Sequence, residues 1–178
     1  ASSLKILFAD DEESLQELMS LELPRMGHEV TVCPDGLTAE AALQLNTYDC
    51  LLVDLDMPGL SGIEVIERAS TLSPEAESIV LTGKASQETA VAALRLGAFD
   101  YLTKPCKLAE LKKLLKRVIE KREMNNKYRA LEHQLHLLYL NLLQHMDILF
   151  VAKYIYLWDI YQQLVLSRPH TTGEFLRK

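Results

Sequence analysis

Five short apolar, β-rich runs punctuate the first 120 positions: Leu4 to Ala9, Glu29 to Cys33, Asp49 to Asp54, Ser78 to Thr82 and Phe99 to Thr103. Three are almost continuously apolar at their centres, at Ile6-Leu7-Phe8, Cys50-Leu51-Leu52-Val53 and Ile79-Val80-Leu81. A strand that is apolar on both faces belongs inside a parallel sheet covered on both sides. Between the runs, apolar residues recur at helical spacing: Leu15, Leu18 and Met19; Leu37, Ala41 and Leu45; Ile63, Ile66 and Ala69; Ala90, Ala93 and Leu94; Leu108, Leu111, Leu115 and Val118. Five βα units with short connections predict an open, doubly wound α/β sheet with helices on both faces.

The last helical pattern has no stop signal. No Pro or Gly occurs between Pro105 and Pro169. After a polar break from Glu120 to Lys127, which puts Arg122 and Asn125 on the seam, apolar steps of three and four resume at Tyr128, Leu131, Leu135, Leu138 and Leu142. This predicts a long helix with an interrupted coiled-coil-like seam. From Leu135 to Leu166, 23 of 32 residues are apolar, and six of the chain's twelve aromatics lie there, Trp158 included. A helix apolar nearly all round must be covered. Asp147, Lys153 and Asp159 interrupt it too often for a membrane span. Burial between copies of the chain is therefore expected, and membrane association is not. Residues 1–122 form one predicted domain, and residues 123–178 a helical extension.

Charge changes the picture. The net charge of −6 is unevenly spread. Residues 1–106 carry 6 basic and 18 acidic side chains, and residues 107–129 carry 9 basic and 3 acidic ones. Alternating charges on an exposed helix explain the basic stretch better than direct DNA contact does. Cys33, Cys50 and Cys106 are too widely spaced for a disulfide framework or a zinc site. Their apolar settings suit buried thiols in a reducing cytoplasm, the expected compartment. No secretory signal pattern opens the chain. It starts Ala1-Ser2-Ser3 without methionine, as a processed chain or a fragment would.

The chemistry lies at the strand ends. In a parallel α/β sheet, ligands bind beyond the carboxyl ends of the strands. The first strand runs into Asp10-Asp11, the third ends in Asp54, the fourth in Thr82, and the fifth runs into Lys104-Pro105. Asp10 and Asp11 could cap a helix, Asp54 could be a turn residue, and Lys104 could be a solvated charge. Together, three carboxylates, a hydroxyl and an ammonium describe a phosphoryl-transfer site holding Mg²⁺ through oxygen ligands.

These residues lie in four motifs: Phe8-Ala9-Asp10-Asp11-Glu12; Leu52-Val53-Asp54-Leu55-Asp56-Met57-Pro58-Gly59-Leu60-Ser61-Gly62; Ile79-Val80-Leu81-Thr82-Gly83; and Gly97-Ala98-Phe99-Asp100-Tyr101-Leu102-Thr103-Lys104-Pro105. Over residues 4–122 the pattern resembles the receiver domain of two-component response regulators, in particular those of enhancer-binding transcription activators. The resemblance implies a flavodoxin-like strand order, 2-1-3-4-5. It implies Asp54 as phosphoacceptor for a sensor histidine kinase, with slow self-dephosphorylation rather than turnover as an enzyme. It further implies Mg²⁺ held by Asp11, Asp54 and the Asp56 carbonyl, with Asp10 acting through water. Lys104 and Thr82 would contact the phosphoryl group, Tyr101 would be the switch aromatic, and the Lys104–Pro105 peptide would be cis. The implied output is transcription, or protein–protein interaction by a stand-alone receiver.

Other patterns carry less. Asp54-Leu55-Asp56 has the Asp-x-Asp form of haloacid-dehalogenase phosphatases, but Pro58 stands where that motif has Thr or Val. Gly83-Lys84-Ala85-Ser86 lacks the upstream glycine and the hydroxyl residue of a nucleotide-binding loop. Lys84 could overhang the site, although a solvated lysine is the simpler reading. His133, His136 and His145 read as helix-surface or interface residues.

Overall fold

The computed structural model describes residues 3–83, 91, 95, 97–144 and 148–166. They fall into two compact units, residues 1–124 and residues 125–178.

The first unit is built on strands β1 (Lys5–Ala9), β2 (Glu29–Cys33), β3 (Cys50–Asp54), β4 (Glu77–Thr82) and β5 (Asp100–Thr103). They form one sheet in the order β2-β1-β3-β4-β5. All four pairings are parallel. The helices are α1 (Glu13–Arg25), α2 (Gly36–Leu45), α3 (Gly62–Leu72) and α4 (Leu108–Gln144), the last of which continues past residue 124. The period Ala90, Ala93 and Leu94 lies outside the described residues, as do Lys84, Ala85, Ser86 and His145.

Alternation along the central strands divides the core in two. Ile6, Phe8, Leu52, Ile79 and Leu81 point to one face, where Leu15, Met19 and Leu23 of α1 and Leu111, Leu115 and Val118 of α4 cover them. Leu7, Ala9, Leu51, Val53 and Val80 point to the other, under Ala39 and Leu43 of α2 and Val65, Ile66 and Ala69 of α3. Among the described residues, two helices cover each face, as strands that are apolar on both sides require.

Two sequence expectations are corrected here. Leu37, Ala41 and Leu45 are exposed, and α2 buries Gly36, Ala39 and Leu43 instead. The small residues win because α2 passes close to the chain at Leu60: a Cβ on Gly36 would sit 2.1 Å from the Leu60 carbonyl oxygen. The seam Leu111, Leu115 and Val118 belongs to the domain's own core and is at most 1% exposed, so it cannot also pair two copies of the chain.

Three of the nine basic residues of the 107–129 stretch are spent on the domain itself. Arg117 pairs with Asp100 at 2.6 Å, Lys121 with Glu77 at 2.7 Å, and Arg122 with Asp49. Arg122 also donates to the Glu75 carbonyl at 2.6 Å. Arg117 and Lys121 lie over the Phe99 ring at 5.2 and 5.3 Å. Arg122, a break in the coiled-coil seam, is thus a clamp holding α4 to the amino ends of β3 and β4.

In the second unit the C-terminal part of α4 is joined by α5 (Ile148–Leu166). The Tyr139 and Trp158 rings stack with centroids 5.6 Å apart. At 1.5 Å per residue a continuous helix would separate them by roughly 28 Å, so the two helices fold back on each other. The uninterrupted helix expected from the missing Pro and Gly is therefore a helical hairpin. No described helix is long and apolar enough to cross a membrane.

Candidate functional site

The order of the sheet reverses between β1 and β3, and that crevice is where an open α/β sheet binds its ligands. β1 delivers Asp10 and Asp11 to it, and β3 delivers Asp54 from the neighbouring strand. Carboxylate oxygens of the three lie within 4.8 Å of one another. Among the described residues this is the grouping of His, Cys, Asp and Glu that could hold a metal; His133 and His136 are not part of one. Asp10 and Asp54 are buried and Asp11 is exposed, so the cluster has two fixed walls and one side open to solvent.

Neither aspartate of the pair caps α1. Its N-cap is Glu12, which makes no side-chain capping bond. Asp10 instead accepts from the Glu12 N–H through Oδ1 at 2.9 Å, and Gln16 Nε2 donates to its carbonyl at 2.8 Å. Asp54 Oδ1 accepts from the Asp56 N–H at 3.1 Å. The remaining oxygens face Lys104. Its ammonium lies 2.7 Å from Asp54 Oδ2, 2.7 Å from Asp10 Oδ2 and 4.0 Å from Glu12 Oε2. The contact with Asp54 is a hydrogen bond. That with Asp10 is an equally close charge pair, so one ammonium bridges the two buried carboxylates.

Electrostatics follow from this packing. Burial raises the Asp10 carboxyl above its usual range, while the Lys104 ammonium and the Glu12 N–H pull it back. Burial would lower the Lys104 ammonium, but the Asp10 and Asp54 carboxylates overcome it and push the group up to about 12. Lys104 therefore stays charged and compensates two buried anions. Three carboxylates whose oxygens lie within 4.8 Å of one another, with solvent on one side, fit a small hard cation that keeps some of its water.

The other expected residues stand around this cluster. Thr82 ends β4 and is buried, and its carbonyl accepts from the Lys104 N–H at 2.8 Å. The Lys104–Pro105 peptide is cis. Tyr101, on edge strand β5, is 40% exposed, so its ring is not packed inward. A Cβ on Gly83 would meet nothing within 4 Å.

Sequence reasoning missed three supports. Asp10 is a direct partner of Lys104 as well as a carboxylate near the metal position. Gln16, one turn into α1, braces the Asp10 backbone. Gly62 allows the N-terminus of α3 to press on β3: a Cβ there would meet the Asp54 carbonyl oxygen at 2.0 Å. Only the last had a signal, the glycine closing Pro58-Gly59-Leu60-Ser61-Gly62. Ser61 beside it caps α3 in a reciprocal box with Glu64.

Comparison with known proteins agrees with the geometry. The family model "Response regulator receiver domain" matches residues 6–116. The regulatory protein AtoC of Escherichia coli is 33% identical over 131 residues, 74% of this chain and 28% of that protein. The DNA-binding transcriptional regulator NtrC of Azospirillum brasilense is 32% identical over 118 residues, 66% of this chain and 24% of that protein. A CheY-like receiver domain protein from Methanospirillum hungatei superposes with a TM-score of 0.65 at 28% identity, over 70% of this chain and 99% of that one. NtrX from Brucella abortus superposes with a TM-score of 0.68 at 28% identity, over 74% of this chain and 30% of that one. The chain spans about a quarter of the length of AtoC and NtrC. With the strand order, the carboxylate crevice and the matched residues in agreement, the chain belongs to the response regulator receiver family of two-component systems.

Proposed function

We propose that Asp54 accepts a phosphoryl group from a sensor histidine kinase and that the modified domain switches an output. The observation that carries this reading is the single ammonium shared at 2.7 Å by Asp10 and Asp54, in a crevice where three carboxylates converge. Asp54 would supply the attacking carboxylate oxygen. A P–O bond forms on it as the P–N bond to the donor imidazole breaks, and the electron pair leaves with the imidazole. Asp11, Asp54 and the Asp56 carbonyl would hold Mg²⁺, with Asp10 behind them; when bound, the ion neutralises charge on the phosphoryl oxygens.

Lys104 would follow the charge. Phosphorylation adds about 1.5–2 negative charges and three acceptor oxygens. Lys104 can then exchange its bond to Asp54 for one to the phosphoryl group. Thr82 supplies a hydroxyl to another oxygen, and the ring of Tyr101 follows inward. This biases a face with two arrangements through a local change of charge. Dephosphorylation is slow hydrolysis at the same centre. The name of NtrC, a DNA-binding transcriptional regulator, supports control of transcription as the output; the reading further places the protein in the cytoplasm, with self-association through the segment after residue 124.

The test is modification by a small phosphodonor such as acetyl phosphate, followed by peptide mapping. Label on Asp54 that requires Mg²⁺ supports the reading. Label elsewhere, or label indifferent to metal removal, overturns it. Asp11→Ala should weaken Mg²⁺ binding about tenfold or more, read by metal titration, because a hard cation loses an anionic ligand. Lys104→Ala should still accept label, yet lose the label-dependent change in NMR signals of Tyr101 and Thr82. An intact change would remove Lys104 from the switch.

A further inference from the structure

The helical hairpin of residues 125–166 leaves its apolar surface in water. The five α5 aromatics are 43–69% exposed, which amounts to about 550 Å² at roughly 200 Å² per side chain. Nine leucine and isoleucine side chains of the two helices, 37–63% exposed, bring the total to about 1,300 Å² at roughly 170 Å² each. This area is spread over several faces of both helices, so only part of it can enter one interface, yet the total is more than the about 800 Å² that each partner gives to a standard stable interface.

We infer that this hairpin pairs with the same hairpin of a second copy to make an antiparallel four-helix bundle. The inference rests on the self-association in the proposed function and replaces its geometry. Two observations favour a second copy over another partner. The hairpin is close to charge-neutral: Lys127, Arg129 and Lys153 stand against Glu132 and Asp159 among its described residues, so no single-sign field selects an oppositely charged partner. Its two helices already touch through Tyr139 and Trp158, so each copy supplies half of a bundle, and a two-fold axis lets identical faces satisfy each other. A parallel two-stranded coil running on from the first unit is disfavoured, because Leu111, Leu115 and Val118 lie in the domain core. The seam that remains, Leu131, Leu135, Leu138 and Leu142, is exposed and free to enter a bundle.

Two measurements on the full chain separate self-association from its geometry. Light scattering should give about twice the 20.2 kDa chain mass, and Leu131→Lys with Tyr156→Lys should return the mass to that of one chain. Asp54 label should stay unchanged in this variant. A single-chain mass for the unsubstituted protein overturns both the self-association and the bundle. A double variant that keeps the doubled mass overturns the bundle interface alone. For geometry, a nitroxide is placed at His136→Cys, an exposed position one turn from Tyr139 that leaves the ring contact intact, in a Cys106→Ser background, and the labelled chain is mixed with a tenfold excess of unlabelled Trp158→Phe chain. Trp158 is the only tryptophan, so quenching then reports contact within one chain. Several-fold quenching supports the hairpin. Trp158 emission equal to that of the unlabelled control overturns it, even if the chain is dimeric.

Discussion

Asp54→Asn is expected to abolish label from acetyl phosphate, with the residual below about one hundredth of wild type by intact-protein mass spectrometry. The substitution keeps the size of the side chain and the acceptor for the Asp56 N–H, at 3.1 Å in the unsubstituted protein. It removes the anionic oxygen that would attack phosphorus. Neutral amides do not take that role, so a loss of at least ~10²-fold is the minimum for a nucleophile. The fold should survive, because a buried anion is removed and Lys104 keeps Asp10 as a partner at 2.7 Å. Thermal unfolding within a few degrees of wild type is the matching control. Label persisting at half the wild-type level or more would show that the acceptor is another side chain.

Gly62→Ala is expected to damage the fold and the site together. The added Cβ would lie 2.0 Å from the Asp54 carbonyl oxygen and 2.9 Å from the Leu55 Cα. Both are backbone atoms and cannot swing aside, so β3 or α3 must move. Overpacking of this kind costs about 1–3 kcal/mol. On a domain of this size that lowers Tm by roughly 10 °C. The displaced strand end carries Asp54, so label uptake should fall several-fold even at temperatures where the variant is folded. Gly83→Ala is the control: open space surrounds that position and its φ is not positive, so Tm and uptake should hardly change. Equal behaviour of the two variants would show that the close approach of α3 to β3 is unimportant.

Most of the receiver was legible because its signals are local and repeated. Ile6-Leu7-Phe8 and Cys50-Leu51-Leu52-Val53 announce strands buried on both faces, and polar residues at the strand ends announce the crevice. What was not legible depends on close approach. The buried face of α2 was misread because Leu37, Ala41 and Leu45 carry a helical period of their own, and only the proximity of Leu60 to Gly36 puts Gly36, Ala39 and Leu43 inward instead. Leu111 and Leu115 looked like half of an intermolecular seam because spacing alone does not distinguish a sheet from a second helix as the covering surface. The reversal between Tyr139 and Trp158 has no Gly or Pro to mark it; aromatic stacking across the two helices holds it.

The bridge from Lys104 to Asp54 spans 50 residues, and its other arm reaches back to Asp10 on the first strand. The carboxylate–ammonium centre is thus a product of high contact order, with parts drawn from nearly the whole length of the first unit. During synthesis, a nascent chain that has not yet released Lys104 carries two buried-to-be carboxylates with no counter-charge between them. The crevice closes only when the fifth strand docks at the edge of the sheet. The full set of two carboxylates with an ammonium between them therefore exists only once the last strand is in place, and the Lys104 bridge reports whether the first unit has finished folding.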